Sequence, residues 1–204
     1  MPASHSQSGF TLLELAIALV ILSLLIGISI APLSSLIKNN KKIRDEIRLE
    51  KLSANLENYA LSHGGLPDSE ANNELVINTS FPVSVNEYGK HIKYYVPSIL
   101  TVSSTGGDFT SFCTNLHGVI SNPATVSDLP KICHDRTYAA GSCSVASNHS
   151  FLVVSTGADQ QFFGENADTD SVFYTSDITP SVDNDDVLKS VNLFALAKRC
   201  GHVF

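Results

Sequence analysis

Positions 15–37 form a run of 23 residues without a charged side chain, and polar residues return directly after it. A run of that length exceeds the roughly 20 apolar residues that span a bilayer core. After residue 37 the pattern turns amphipathic. Ile43 and Ile47 stand four apart, and Leu49, Leu52, Leu56 and Tyr59 follow at helical spacings. Lys38, Lys41, Lys42, Arg44, Asp45, Glu46 and Arg48 fill the remaining faces. No glycine or proline interrupts residues 33–63, and Gly64-Gly65-Leu66-Pro67 then supplies a left-handed cap and a nearby proline, a strong helix stop. One helix over 10–63 would be about 80 Å long at 1.5 Å per residue. Gly27 and Pro32 are the expected places for a bend.

From residue 68 onward, short β-type runs alternate with clusters of Gly, Asn, Asp, Ser and Pro. The runs at 91–96, 151–155, 172–175 and 187–192 predict strands. Residues 111–119 predict a short helix carrying Cys113. The expected fold is α+β: a long N-terminal helix whose second half packs on a small antiparallel sheet with irregular, disulfide-tied loops.

Charge divides the chain. Residues 1–63 carry six Lys/Arg against five Asp/Glu, and residues 64–204 carry seven against fifteen. An acidic body with no basic stripe argues against nucleic acid as the main partner, because phosphate contacts need clustered Lys and Arg. The four cysteines, Cys113, Cys133, Cys143 and Cys200, lie beyond the apolar run and include no C-x-x-C pair. That pattern disfavours zinc and predicts two disulfides in an oxidising compartment. Three connectivities are open. The pairing favoured here is Cys113–Cys133 with Cys143–Cys200, the second tethering the C-terminus.

Residues 1–9, MPASHSQSG, are polar and contain no Lys or Arg. An ordinary secretory signal has a basic start, a shorter apolar middle and a small-residue cleavage site after it, none of which fits. The decisive stretch is Gly9-Phe10-Thr11-Leu12-Leu13-Glu14-Leu15. It resembles the type IV prepilin signature: glycine, then phenylalanine, then a carboxylate four residues further on, leading an apolar helix. The resemblance covers the leader and the helix to about residue 63. It implies cleavage between Gly9 and Phe10 by a membrane aspartyl prepilin peptidase, which also methylates the new N-terminus at Phe10. It further implies that Glu14 pairs with the terminal amine of a neighbouring subunit and sets axial register. A carboxylate at the edge of an apolar helix is costly and calls for a partner or a role. Desolvated charge pairs give register more reliably than net stability.

One pattern points the other way. Lys38, Lys41, Lys42 and Arg44 follow the span while the leader is uncharged, so the positive-inside tendency alone would keep the body in the cytoplasm. The cleavage motif and the cysteines outweigh it, since both require an exported body.

Residues 159–188 hold eight Asp/Glu and no Lys or Arg. Asn166, Asp168 and Asp170 alternate like calcium-loop oxygens, but Ser171 stands where an EF-hand needs glycine. Ser155-Thr156-Gly157-Ala158-Asp159 and Asp185-Asp186-Val187 resemble the C-terminal sheet of type II secretion pseudopilins, which implies Ca2+ as a candidate cation. Asp159, Asp170 and Asp185 are its candidate ligands, against the alternative of solvated acidic loops. Ser142, Ser155 and the seven histidines form no nucleophile elbow or zinc-protease helix, so no enzyme is expected.

The expected organisation is a leader at 1–9, a membrane or filament-core segment at 10–37, an amphipathic segment at 38–63 and a periplasmic body at 64–204. The expected function is structural: a minor pilin or a pseudopilin, anchored once in the bacterial inner membrane and then part of a pilus or periplasmic filament. Its implied partners are other pilin subunits, prepilin peptidase and the inner-membrane assembly platform. The alternative is a signal-anchored periplasmic binding protein or enzyme, for which the N-terminus would stay uncut. Mass spectrometry of membrane-derived protein is expected to give a singly methylated Phe10 as first residue; an intact Met1 would contradict this.

Overall fold

The computed structural model describes residues 11–69, 85–133, 146–162, 172–174 and 186–201, with the side chains of 27–35, 146–147 and 174 also outside the described set. The chain divides into two compact units, Met1–Asn40 and Lys41–Phe204. A single helix, α1 (Leu12–His63), runs through Gly27 and Pro32. In the first unit every large apolar side chain from Leu12 to Ile26 is at least half exposed.

The second unit begins with the rest of α1. Its buried residues are Asp45, Leu49, Leu52, Ser53, Leu56 and Ala60, on one face at helical spacing. Ile43 and Ile47, read from the sequence as part of the apolar face, are instead 45% and 47% exposed. They stand two positions from Asp45 and Leu49, about 200° around a helix of 3.6 residues per turn, and so fall on the opposite side. Tyr59 packs at the edge of the core and stacks on His63 at 3.9 Å between ring centres.

The helix stops where the glycines predict. Gly64 takes φ +67°, and the Gly65 N–H donates to the Ala60 carbonyl at 3.1 Å. A Cβ on Gly64 would stand 2.4 Å from the Gly107 carbonyl oxygen, so the close approach of the 106–108 turn requires glycine there as much as the backbone angle does.

Five strands form one sheet: β1 (Lys93–Tyr95), β2 (Lys131–Cys133), β3 (Ala146–Ser155), β4 (Val172–Tyr174) and β5 (Val187–Asn192). Strand β3 is the hub. Its second half pairs antiparallel with β1 and with β5, while its start pairs antiparallel with β2. Strand β2 also takes β4 in parallel, so the sheet is mixed and the expected all-antiparallel sheet is corrected. The strand 187–192 was legible to the residue, and those near 91–96, 151–155 and 172–175 were located; Thr175 lies outside the described residues. Strand β2 carried no alternation long enough to read.

Phe151, Leu152, Val153 and Val154 are all fully buried. Phe151 and Val153 join α1 in the larger core, whereas Leu152 and Val154 pack with Tyr95, Ile132 and Phe173 on the other face. A strand covered on both faces shows an unbroken apolar run rather than alternation. Three further helices, α2 (Val102–Thr105), α3 (Phe109–Ser121) and α4 (Leu193–Ala197), complete the unit. Asp108 caps α3 by accepting from the Ser111 N–H at 2.7 Å. Phe112, Leu116 and Val119 bury one face of α3 at spacings of four and three.

Cys113 on α3 is bonded to Cys200 after α4, with their Cα atoms 5.9 Å apart. This overturns the favoured pairing of Cys113 with Cys133 and of Cys143 with Cys200. Packing of α3 beside α4 brings together two residues 87 positions apart, a proximity that spacing could not reveal. Cys133 is also disulfide-bonded, no cysteine among the described residues is free, and Cys143, the fourth, lies outside the described residues. Digestion without reductant is expected to yield a peptide joining Cys113 to Cys200. Replacing both with serine should cost on the order of 2–5 kcal/mol, because the closed loop is long. A Cys113–Cys133 peptide would contradict the arrangement.

Candidate functional site

Two of the carboxylates on α1, Glu14 and Asp45, differ in kind. The first is Glu14. Thr11 precedes the helix; its N–H and its hydroxyl both donate to Glu14 Oε2 at 3.0 Å. In return the Glu14 N–H donates to Thr11 Oγ1 at 3.3 Å, and the Leu15 N–H to the Thr11 carbonyl at 3.2 Å. This is a capping box, in which an N-cap hydroxyl and a glutamate three residues on satisfy each other's backbone donors. The T-x-x-E spacing was visible in the sequence, but Glu14 was read there only for its contact with another subunit. Around it Leu12 and Leu13 are 89% and 70% exposed, so the carboxylate opens a helix that is apolar on all sides. Gly9 and Phe10, the expected cleavage residues, lie outside the described residues.

The uncharged run at 15–37 crosses positions whose side chains are outside the described set. Among the described residues, no helix is long and apolar enough to cross a membrane.

The second carboxylate is Asp45, which sequence reasoning placed on a polar face and the fold buries completely. Its Oδ2 accepts from the Ser155 hydroxyl at the end of β3, and its Oδ1 from the Glu87 N–H at 3.2 Å. Asn86 closes the group. Its Nδ2 donates to Ser155 Oγ at 3.0 Å and to Thr156 Oγ1 at 2.8 Å, and its Oδ1 accepts from the Tyr88 and Lys90 N–H groups at 3.0 and 2.8 Å. Arg48, one turn on, donates to the Val85 carbonyl at 3.0 Å and pairs with Glu87 at 2.5 Å. The turn at 85–90 is thereby fastened between α1 and β3. Burial pushes the Asp45 carboxyl above its ordinary pKa, against the lowering effects of Ser155, the Glu87 N–H and Arg48. One signal was present in the sequence: Asp45 precedes Leu49, Leu52 and Leu56 by four, seven and eleven residues, an acid on an apolar face.

Ser155 is thus a buried hydrogen-bonding residue held by an aspartate. Of the candidate calcium ligands only Asp159 lies among the described residues. Asp159 is exposed, and its Oδ1 accepts from the Gln161 N–H at 2.8 Å. Asp170 and Asp185 lie outside the described set. Among the described residues no group of three His, Cys, Asp or Glu side chains is placed to hold a metal ion.

Against known families, residues 4–30 match the prokaryotic N-terminal methylation motif, the prepilin-type cleavage and methylation signal of type IV pilins and pseudopilins. The chain therefore carries a pilin-type N-terminus, which implies processing by prepilin peptidase and assembly with other pilin subunits. No curated protein and no solved structure matches the chain.

The Asp45 group generates a pH-dependent prediction. A raised value means that the folded chain holds this proton more tightly than the unfolded one. The contribution of Asp45 is therefore complete below the ordinary carboxylate pKa and lost as pH rises through the raised value. Asp45→Asn cannot ionise, so in urea titrations its deficit against wild type is expected to shrink from acid to neutral pH. Asp45→Ala leaves the Glu87 N–H and the Ser155 hydroxyl short of an acceptor and should cost about 1–3 kcal/mol. A deficit for Asp45→Asn that is constant with pH would contradict the buried ionisable carboxylate.

Proposed function

We propose that this chain is a structural subunit of a pilus-like filament, either a minor pilin or a pseudopilin, held in the inner membrane by residues 10–37 until assembly. The observation that carries the reading is the methylation motif at residues 4–30 on a helix whose first unit exposes apolar side chains on every side. Such a surface is stable only in lipid or among other helices, and passing from lipid into a helical bundle exchanges one apolar contact for another. Cleavage falls between Gly9 and Phe10, the methylated Phe10 amine is the partner of Glu14 on a neighbouring subunit, and the disulfide-tied body lies in the periplasm.

The capping box adds a requirement. For Glu14 to receive a neighbour's amine, its carboxylate must leave Thr11 or share its oxygens, and the second oxygen, Oε1, is the one free to be shared. Register would then be chosen by an ion pair that outcompetes or supplements local hydrogen bonds from the neutral donors of Thr11.

Glu14→Ala is expected to insert and be cleaved, since the helix becomes more apolar and Gly9 and Phe10 are unchanged. It should then accumulate in the inner membrane and be scarce in sheared filaments. Glu14→Gln should behave like Glu14→Ala, because it keeps the shape and loses the charge; Glu14→Asp should fall between. Wild-type filament yield from Glu14→Ala would mean that the carboxylate only sits at the lipid surface, whereas an uncut chain missing from filaments even as wild type would favour a signal-anchored binding protein or enzyme.

A further inference from the structure

The basic residues that follow the apolar run play no part in the reading above, and their orientation gives them one. Lys41 and Lys42 are half-buried. They precede Asp45 by four and three residues, so they share the side of α1 that carries the body, while Ile43 and Ile47 occupy the opposite side. The turn at 85–90 packs along this stretch. Tyr88 receives the Lys41 ammonium over its ring at 5.2 Å, and Lys90, two residues on, is exposed. Of the acids in this region among the described residues, Glu87 is taken by Arg48 at 2.5 Å and approached by Arg44 at 4.0 Å and Asp45 is enclosed, which leaves the exposed Glu46, four residues after Lys42, against three lysines. The start of α1 within the body and the 85–90 turn therefore carry three lysines and one tyrosine, with Lys41 and Tyr88 in contact.

Lys41 follows Ile37 by four residues, about 6 Å of helix rise. If 15–37 spans the bilayer core, that distance is the headgroup layer, where phosphates lie and where tyrosine and lysine collect. We propose that Lys41, Lys42, Tyr88 and Lys90 form a seat for anionic phospholipid headgroups, which holds the body of the unassembled subunit against the membrane. Lysine suits this role, since a mobile point charge pairs with phosphate without fixed geometry. The inference rests on the membrane reading proposed above. It also accounts for lysines on the exported side of a span: they serve contact with lipid, and the cleavage motif determines topology.

The test is residue-resolved acylation of lysines, read by mass spectrometry, on the full chain in nanodiscs. One set of discs is phosphatidylcholine alone, and the other contains equal parts phosphatidylglycerol. Lys41, Lys42 and Lys90 are expected to react roughly fivefold more slowly in the anionic discs, the factor that corresponds to about 1 kcal/mol per basic residue at an anionic surface. Lys198, exposed just after α4, should react equally in both. In about 1 M salt, where the Debye length falls to about 3 Å, the difference should vanish. Equal rates for the three lysines in both discs would overturn the proposal. So would slowing in neutral discs that grows with protein density, since it would assign these lysines to the acidic body of a neighbouring copy. A chain that floats with neither kind of vesicle would overturn the membrane reading itself, separately from the headgroup seat.

Discussion

The packing of one face of α1 against β3 is the contact on which the body depends. Leu49, Leu52 and Leu56 share the larger core with Phe151 and Val153, and truncating a leucine in such a setting typically costs about 2–5 kcal/mol. Because β3 is also the strand shared by β1, β2 and β5, the helix and the sheet cannot be displaced separately. The helix is thus both a wall of the body's core and, further toward its N-terminus, a rod of exposed apolar side chains. One secondary element serves two environments, and its side-chain pattern changes near residue 38 to suit each.

Apolar contact of this kind is tolerant of sliding, and the polar group around Asp45 is not. Asp45, Ser155, Asn86 and the Glu87 backbone satisfy one another in one arrangement, and shifting the helix by a residue would leave buried donors without acceptors. Buried polar networks are poor sources of net stability, yet they select one register where hydrophobic packing would accept several. The disulfide from Cys113 to Cys200 acts differently. It ties α3 to the end of the chain and restricts chiefly the unfolded ensemble.

Two carboxylates of α1, Glu14 and Asp45, illustrate one physical rule in two settings. Among the described residues, Glu14 takes its hydrogen bonds from Thr11, within its own first turn. Asp45 is enclosed, and its partners come from residues 42 to 110 positions away in the chain. A charge at a helix start can be served locally; a charge inside a core needs partners that only folding assembles.

That difference marks how far the sequence was legible. The uncharged run, the stop at Gly64, the methylation motif and the strand at 187–192 depend on neighbours close in the chain, so residue types and spacing were sufficient to determine them. The fold class followed from the same local signals. The side of α1 that is buried did not, because Ile43, Ile47 and Asp45 all fit a helix and only the opposing sheet chooses between faces. The parallel pairing of β2 with β4 and the Cys113–Cys200 bond likewise join segments distant in sequence. Which distant segments meet is set by the summed packing of the whole body, and that sum is a property of the tertiary structure alone.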